Sequence, residues 1–140
     1  MRSEKPILLV EDDSVDVMTV RRALKELAVT NPLVSTGDGE EALEYLYRHA
    51  GPKPCVILLD LNMPRMSGME FMKVAKSDNA LRSIPIIVFT TSNTEQDITK
   101  SFELGAAGYM VKSVDYSKFI ETIKTIDSYW SLSKLPSDGE

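Results

Sequence analysis

Six side chains in this sequence have types and spacings suited to phosphoryl chemistry: Glu11, Asp12, Asp13, Asp60, Thr90 and Lys112. Each follows a short apolar run. Glu11-Asp12-Asp13 comes after Ile7–Val10, Asp60 after Cys55–Leu59, Thr90 after Ile84–Phe89, and Lys112 after Tyr109–Val111. If these runs are parallel strands of one sheet, their carboxyl ends share a rim bearing carboxylates, a hydroxyl and an ammonium. Carboxylates crowded in one pocket repel and raise one another's pKa unless a cation joins them. Oxygen-only ligands favour a hard cation, and few dedicated ligands favour Mg²⁺ with retained waters. A pocket neutralised in this way lets an anionic phosphate approach Asp60, whose carboxylate is then a nucleophile able to form an acyl phosphate. The phosphoryl oxygens need donors. Lys112 is the natural counter-ion, and the Thr90 hydroxyl a neutral donor. Taken singly, each residue has a plainer role: Asp13 as a helix cap, Thr90 as a strand end, Lys112 as a surface lysine. Their weight comes from the shared rim.

The elements that must position these groups alternate along the chain. Ile7–Val10 reads as a buried strand, followed by a helix with Val17, Val20, Leu24 and Leu27 on one face. Asp13, with Asp16 three residues on, can cap that helix. Pro32–Thr36 is a weaker strand, Gly37-Asp38-Gly39 a turn, and Glu40–Arg48 a helix with Ala42, Leu43, Leu46 and Tyr47 inward. Gly51–Pro54 is a loop. Cys55–Leu59 is a continuous apolar strand, as a central parallel strand covered on both faces should be. Ser67-Gly68-Met69-Glu70 fits a capping box opening a third helix. Ile84–Phe89 is the fourth strand. Ser92-Asn93-Thr94-Glu95 reads as a second capping box, with a helix to about Leu104 carrying a sparse apolar pattern of Ile98, Phe102 and Leu104. Tyr109–Val111 is the fifth strand. Asp115 caps a last helix carrying Tyr116, Phe119, Ile120, Ile123, Ile126 and Trp130. The expectation is an α/β fold of five βα units, doubly wound, with a parallel sheet in the order 2-1-3-4-5 and helices on both faces. One domain spans 1–130, and 131–140 is a polar tail.

Bulk properties bound the function. With 140 residues, 43% hydrophobic and 26% charged, the chain suits one globular domain with a real core. A net charge of −5 disfavours nucleic-acid binding, which needs a basic surface. No apolar run approaches a membrane span, and Met1–Pro6 is too polar to open a signal peptide. Cys55 is a single cysteine, so it makes no internal disulfide, fits a reducing cytoplasm and reads as a small core residue. His49 is the only histidine, sits in a polar stretch, and has no partner for a zinc site.

At these residues the chain resembles the receiver domain of bacterial two-component response regulators. The likeness runs from Lys5 to about Trp130. It rests on Ile7-Leu8-Leu9-Val10-Glu11-Asp12-Asp13, on Leu58-Leu59-Asp60-Leu61-Asn62-Met63-Pro64 with Met66 and Gly68, on Ile86–Thr91, and on Gly105-Ala106-Ala107-Gly108-Tyr109-Met110-Val111-Lys112. The resemblance implies a flavodoxin-like fold. It implies that Asp60 accepts a phosphoryl group from a histidine kinase, with Mg²⁺ or Mn²⁺ held by Glu11, Asp12, Asp60 and the Asn62 carbonyl. Asp12 would be the more direct ligand and Glu11 would act through water. Thr90 would be the switch hydroxyl, Tyr109 the aromatic whose rotamer follows it, and Lys112 the phosphate-binding lysine. The second-helix start Asp-Gly-Glu-Glu-Ala and the ending Tyr129-Trp130-Ser131-Leu132…Leu135-Pro136 look like small stand-alone receivers paired with phytochrome-type kinases. One departure is Ser113, where the family usually carries proline joined to the lysine by a cis bond. The 112–113 bond is here either cis or trans, and the placement of Lys112 depends on which.

The resemblance implies a phosphorylation-biased switch working through the fourth helix, fifth strand and last helix, a face that could also form a homodimer. It implies a signalling protein and not a metabolic enzyme; beyond its own phosphoryl transfer it would catalyse only slow dephosphorylation. With no residues left for an output domain, the output would be a protein contact. Two other readings are open. A Mg²⁺ phosphohydrolase also places Asp after a buried strand, but its usual second acid two residues on is here Asn62. A degenerate receiver used only for binding would lack part of the set Glu11, Asp12, Asp60, Thr90 and Lys112.

Overall fold

The computed structural model describes residues 5–132, with side chains described to residue 128. Five strands and five helices alternate: β1 (Ile7–Val10), α1 (Ser14–Glu26), β2 (Leu33–Thr36), α2 (Gly39–Arg48), β3 (Val56–Leu59), α3 (Gly68–Ser77), β4 (Ile86–Thr90), α4 (Glu95–Glu103), β5 (Gly108–Val111) and α5 (Tyr116–Leu132). The strands form one parallel sheet in the order β2-β1-β3-β4-β5. This is the expected doubly wound topology, with the order reversing beside β1, so that β1 and β3 are central neighbours.

Successive strand side chains point to opposite faces, so an all-apolar strand feeds two cores at once. Leu8, Val10, Ile57, Leu59, Ile86 and Val88 pack against Ala42 and Leu46 of α2 and Phe71, Met72 and Ala75 of α3. Ile7, Leu9, Val56, Leu58, Ile87 and Phe89 pack on the other side against Val20, Ala23 and Leu24 of α1 and Phe119, Ile123 and Ile126 of α5. The two central strands β1 and β3 are buried along their whole length, which holds their carboxyl ends rigidly side by side. Cys55 is buried immediately before β3, as expected of a small core residue. Among the described residues no helix is long and apolar enough to cross a membrane.

The caps show which helix starts are set locally. The Asp13 side chain accepts from the backbone N–H groups of Val15 (2.8 Å) and Asp16 (3.3 Å). Ser67 and Glu70 form the expected capping box, and Asp115 accepts from Ser117 N–H at 3.0 Å. Two expectations need correction. The fourth helix is capped by Thr94, whose side chain accepts from Asp97 N–H at 3.2 Å, and not by a Ser92–Glu95 box. Strand β4 runs through Thr90, and Ser92 is engaged elsewhere: its hydroxyl donates to Asp97 at 2.5 Å and its carbonyl accepts from the Tyr109 hydroxyl at 2.9 Å. Tyr47 does not face inward; it is exposed and donates to Asp78 at 2.5 Å. Five positions beyond Ala42 is about 140° round the helix, off the buried stripe, and the half-buried tyrosine on α2 is Tyr45. His49 ends α2 with its ring stacked on Tyr45 at 4.9 Å. Helix α4 has a thin core face, as its sequence suggests: Ser101 is its buried residue and Phe102 is exposed. Helix α5 continues through Leu132, two residues into the segment read as polar tail. The rest of that tail, and the side chains of Tyr129 and Trp130, lie outside the described residues.

Candidate functional site

Backbone pairing brings the site residues together before any side chain does. Glu11 N–H donates to Thr36 O (2.9 Å), Asp60 N–H to Val10 O (3.0 Å) and Lys112 N–H to Thr90 O (2.7 Å). The first residue beyond each of β1, β3 and β5 is thereby hydrogen-bonded to the last residue of its neighbour; β1 and β3 end level, and β4 and β5 run two residues further, so that Lys112 leaves the sheet beside Thr90. Glu11 is 4% exposed and Asp60 8%, while Asp12 beside them is open to solvent. One carboxylate oxygen from each of Glu11, Asp12 and Asp60 lies within 4.8 Å of the other two. Asp13 is not in this group; it is occupied in capping α1.

These donors fit a hard divalent cation. All three are carboxylate oxygens, two of them buried, and a single ion among them would offset a charge that the protein itself leaves unbalanced. That imbalance shows in the titration of Glu11. Burial pushes its carboxyl up to about 7 from an ordinary 4.5, Lys112 pulls it back part of the way, and Asp60 adds to the rise. Three carboxylates, Glu11, Asp16 and Asp60, lie within 4 Å of one ammonium, and Asp12 stands beside Glu11 and Asp60.

That ammonium is nearly enclosed. The Lys112 side chain is 6% exposed, with Nζ hydrogen-bonded to Glu11 Oε1, 2.9 Å from Asp16 Oδ2 and 3.9 Å from Asp60 Oδ2. Burial by itself would lower its pKa; the bonds to Glu11 and Asp16 outweigh that and hold it above the ordinary lysine value. The Lys112–Ser113 peptide bond is trans. Thr90 is fully buried, and its hydroxyl oxygen lies 3.4 Å from Ser92 N as an acceptor. Tyr109 is half-buried, with its hydroxyl tied to the β4–α4 loop through Ser92 O. Asn62 is exposed in the loop two residues past Asp60.

The loop after Asp60 is tightly constrained. Leu61 N–H donates to Asp60 Oδ1 at 2.9 Å, and Gly68 N–H to Leu61 O at 3.0 Å. A Cβ on Gly68 would sit 2.3 Å from the Asp60 carbonyl oxygen, so only glycine lets α3 start this close to the acidic residue. Arg65 adopts a left-handed φ of 62° and reaches back to Asp38, its Nε 2.7 Å from Oδ2. Asp38 is 1% exposed; burial would raise its pKa, but the Glu41 amide and the Arg65 guanidinium hold it below the usual carboxylate value.

Of the side chains singled out in the sequence, Glu11, Asp12, Asp60 and Lys112 are brought together; the Thr90 and Tyr109 hydroxyls instead meet Ser92 in the β4–α4 loop, Asp13 caps α1 and Asn62 is exposed. Two members escaped sequence reading. In the sequence Asp16 reads only as support for a cap, and nothing local marks it as a partner of Lys112. The Asp38–Arg65 pair was also missed, although Asp38, standing before a helix, carried the signal of a cap and does accept from Glu41 N–H at 2.9 Å.

Residues 7–124 match the response regulator receiver domain family. Response regulator Rcp1 of Synechocystis sp. is 35% identical over 130 residues, covering 90% of this chain and 88% of that protein. The crystal structure of its Mn(2+)-bound form superposes with a TM-score of 0.86, covering 95% of this chain and 99% of that one. The crystal structure of the phosphorylated cyanobacterial phytochrome response regulator RcpA has a TM-score of 0.89 at 36% identity, covering 96% of this chain and 100% of that chain. Sheet order, the acidic cluster and this match over nearly the whole fold agree, and the chain belongs to the response regulator receiver domain family.

Proposed function

We propose that this receiver accepts a phosphoryl group on Asp60 from a histidine kinase, in a reaction that needs Mg²⁺ or Mn²⁺, and passes the signal on through the α4–β5–α5 face. The observation that carries the reading is the gathering of Glu11, Asp12 and Asp60 within 4.8 Å, with the Lys112 ammonium 3.9 Å from Asp60. Glu11, Asp12, Asp60 and the Asn62 carbonyl would hold the ion. When bound, it offsets the carboxylate charge and that of the incoming phosphoryl oxygens. A carboxylate oxygen of Asp60 attacks phosphorus, the O–P bond forms, and the bond from phosphorus to the kinase histidine nitrogen breaks with its electron pair leaving on that nitrogen. Lys112 and the Thr90 hydroxyl then donate to the phosphoryl oxygens. Thr90 turning inward frees space beside β4, Tyr109 follows, and α4, which has the thinnest core face, shifts with them. Water slowly hydrolyses the acyl phosphate to reset the domain, here the unit spanning 1–130.

The relative described as a phytochrome response regulator supports a phytochrome-type kinase as partner, and the single cysteine, Cys55, fits the cytoplasmic setting we propose. A homodimer through α4–β5–α5 is the form of output we favour. Intact mass spectrometry with acetyl phosphate and Mg²⁺ tests the reading. The protein should gain one phosphoryl group, and Asp60→Asn should gain none. Labelling that persists in Asp60→Asn refutes the acceptor assignment. Size-exclusion chromatography of both forms tests the dimer.

A further inference from the structure

Lys112 is bonded to the wrong carboxylates for its proposed task. Its ammonium donates to Glu11 and, at 2.9 Å, to Asp16, while Asp60 stands at 3.9 Å, outside hydrogen-bond range. Asp16 is held in place on the first turn of α1, where its N–H donates to the Asp13 cap at 3.3 Å. The stem of Lys112 is held by its own N–H on Thr90 O, and the side chain is 6% exposed, so the ammonium has little room beyond these carboxylates. An ammonium has three donors, and two are committed.

We propose that Asp16 is a latch for Lys112: it holds the ammonium off the acceptor in the resting protein and competes for it with a phosphoryl group on Asp60. The proposal rests on Asp60 being the acceptor. Asp16 is the bond that gives way, for a reason of solvation. The Glu11 side chain is 3% exposed, so water cannot take the place of the ammonium there, whereas that of Asp16 is 28% exposed and water can. Asp16 is therefore a positioning residue. It touches neither the acceptor nor the metal ligands in its hydrogen bonding, and acts through Lys112.

Beryllofluoride, a tetrahedral stand-in for the phosphoryl group, separates the possibilities when titrated with Mg²⁺ and followed by fluorine NMR. Asp16→Asn should bind it about fivefold more tightly than wild type, the size expected for releasing one partly exposed ion pair. Mg²⁺ affinity without beryllofluoride should not change. In a Lys112→Ala background the Asp16→Asn gain should largely vanish, because there is no ammonium left to release. Asp16→Ala is the second variant and should behave as Asp16→Asn does. Equal or weaker binding by both Asp16 variants overturns the latch. So does an equal gain in the Lys112→Ala background, which would make the effect one of bulk charge, or a fall in Mg²⁺ affinity, which would make Asp16 part of the ion site. A wild-type protein that binds no beryllofluoride overturns the acceptor reading itself, an outcome distinct from the others.

Discussion

Without divalent cations the protein should lose stability as pH rises from about 4.5 to about 7, and Mg²⁺ should restore it. The group responsible is Glu11, whose carboxyl is raised by burial from an ordinary 4.5 to about 7 in the fold. Between those values the folded state keeps a proton that the unfolded chain has already released. Raising the pH removes that proton against the preference of the folded state, so unfolding becomes easier. The contribution is whole below about pH 4.5 and gone once the pH has passed 7. The difference of 2.5 between 7 and 4.5, at about 1.36 kcal/mol for each unit, sets a ceiling of about 3 kcal/mol. Other shifted groups act outside this window. Asp38, Asp78 and Asp115 are lowered and lose their contribution only in more acid solution, and Lys112 is raised and loses its own only in alkali. A cation bound by the ionised carboxylates reverses the loss, by about 2.7 kcal/mol when present at about a hundred times its Kd, and more strongly at the alkaline end. Urea unfolding followed by far-ultraviolet circular dichroism, in chelator and in Mg²⁺ across this range, measures both effects. A free energy in chelator that is flat or climbs with pH refutes the argument, as does a Glu11→Gln variant that keeps the slope.

Lys112→Ala should still accept label from acetyl phosphate but show a smaller amide-shift response over α4, β5 and α5; a response equal to wild type would count against its role. Asp38→Ala removes a helix cap and the partner of Arg65, and should cost about 1–2 kcal/mol in urea unfolding. Because Arg65 sits at a φ of 62°, Arg65→Gly should be more stable than Arg65→Ala; the reverse order would show that the backbone there is not strained. Gly68→Ala places a methyl group 2.3 Å from the Asp60 carbonyl oxygen, so it should cost about 1–3 kcal/mol and slow phosphorylation by moving that carbonyl. Wild-type stability in Gly68→Ala would mean that α3 can retreat without strain.

Much of this architecture was legible residue by residue. Ile7–Val10 reads as a buried strand and Cys55–Leu59 as one covered on both faces because every position is apolar, and both are buried throughout. Asp13, Ser67 and Asp115 read as caps because a cap is a bond to the next turn, and each makes that bond. Where tertiary contacts compete with a local rule, the local rule lost. Ser92 has the right spacing to cap α4, but the Tyr109 hydroxyl and Asp97 engage it, and Thr94 takes the cap. Tyr47 looked inward by composition, yet it lies off the buried stripe of α2 and finds Asp78.

From the chain alone came the order of elements, the parallel sheet, and a rim carrying Glu11, Asp12, Asp60, Thr90 and Lys112, because hydrophobic periodicity and capping act over one or two turns. Only the packed structure decided what Lys112 bonds to. Asp16 and Lys112 are 96 residues apart, as Asp38 and Arg65 are 27. Contacts of that kind depend on how helices seat against a sheet, and a buried ammonium settles on whichever carboxylates that seating brings within reach.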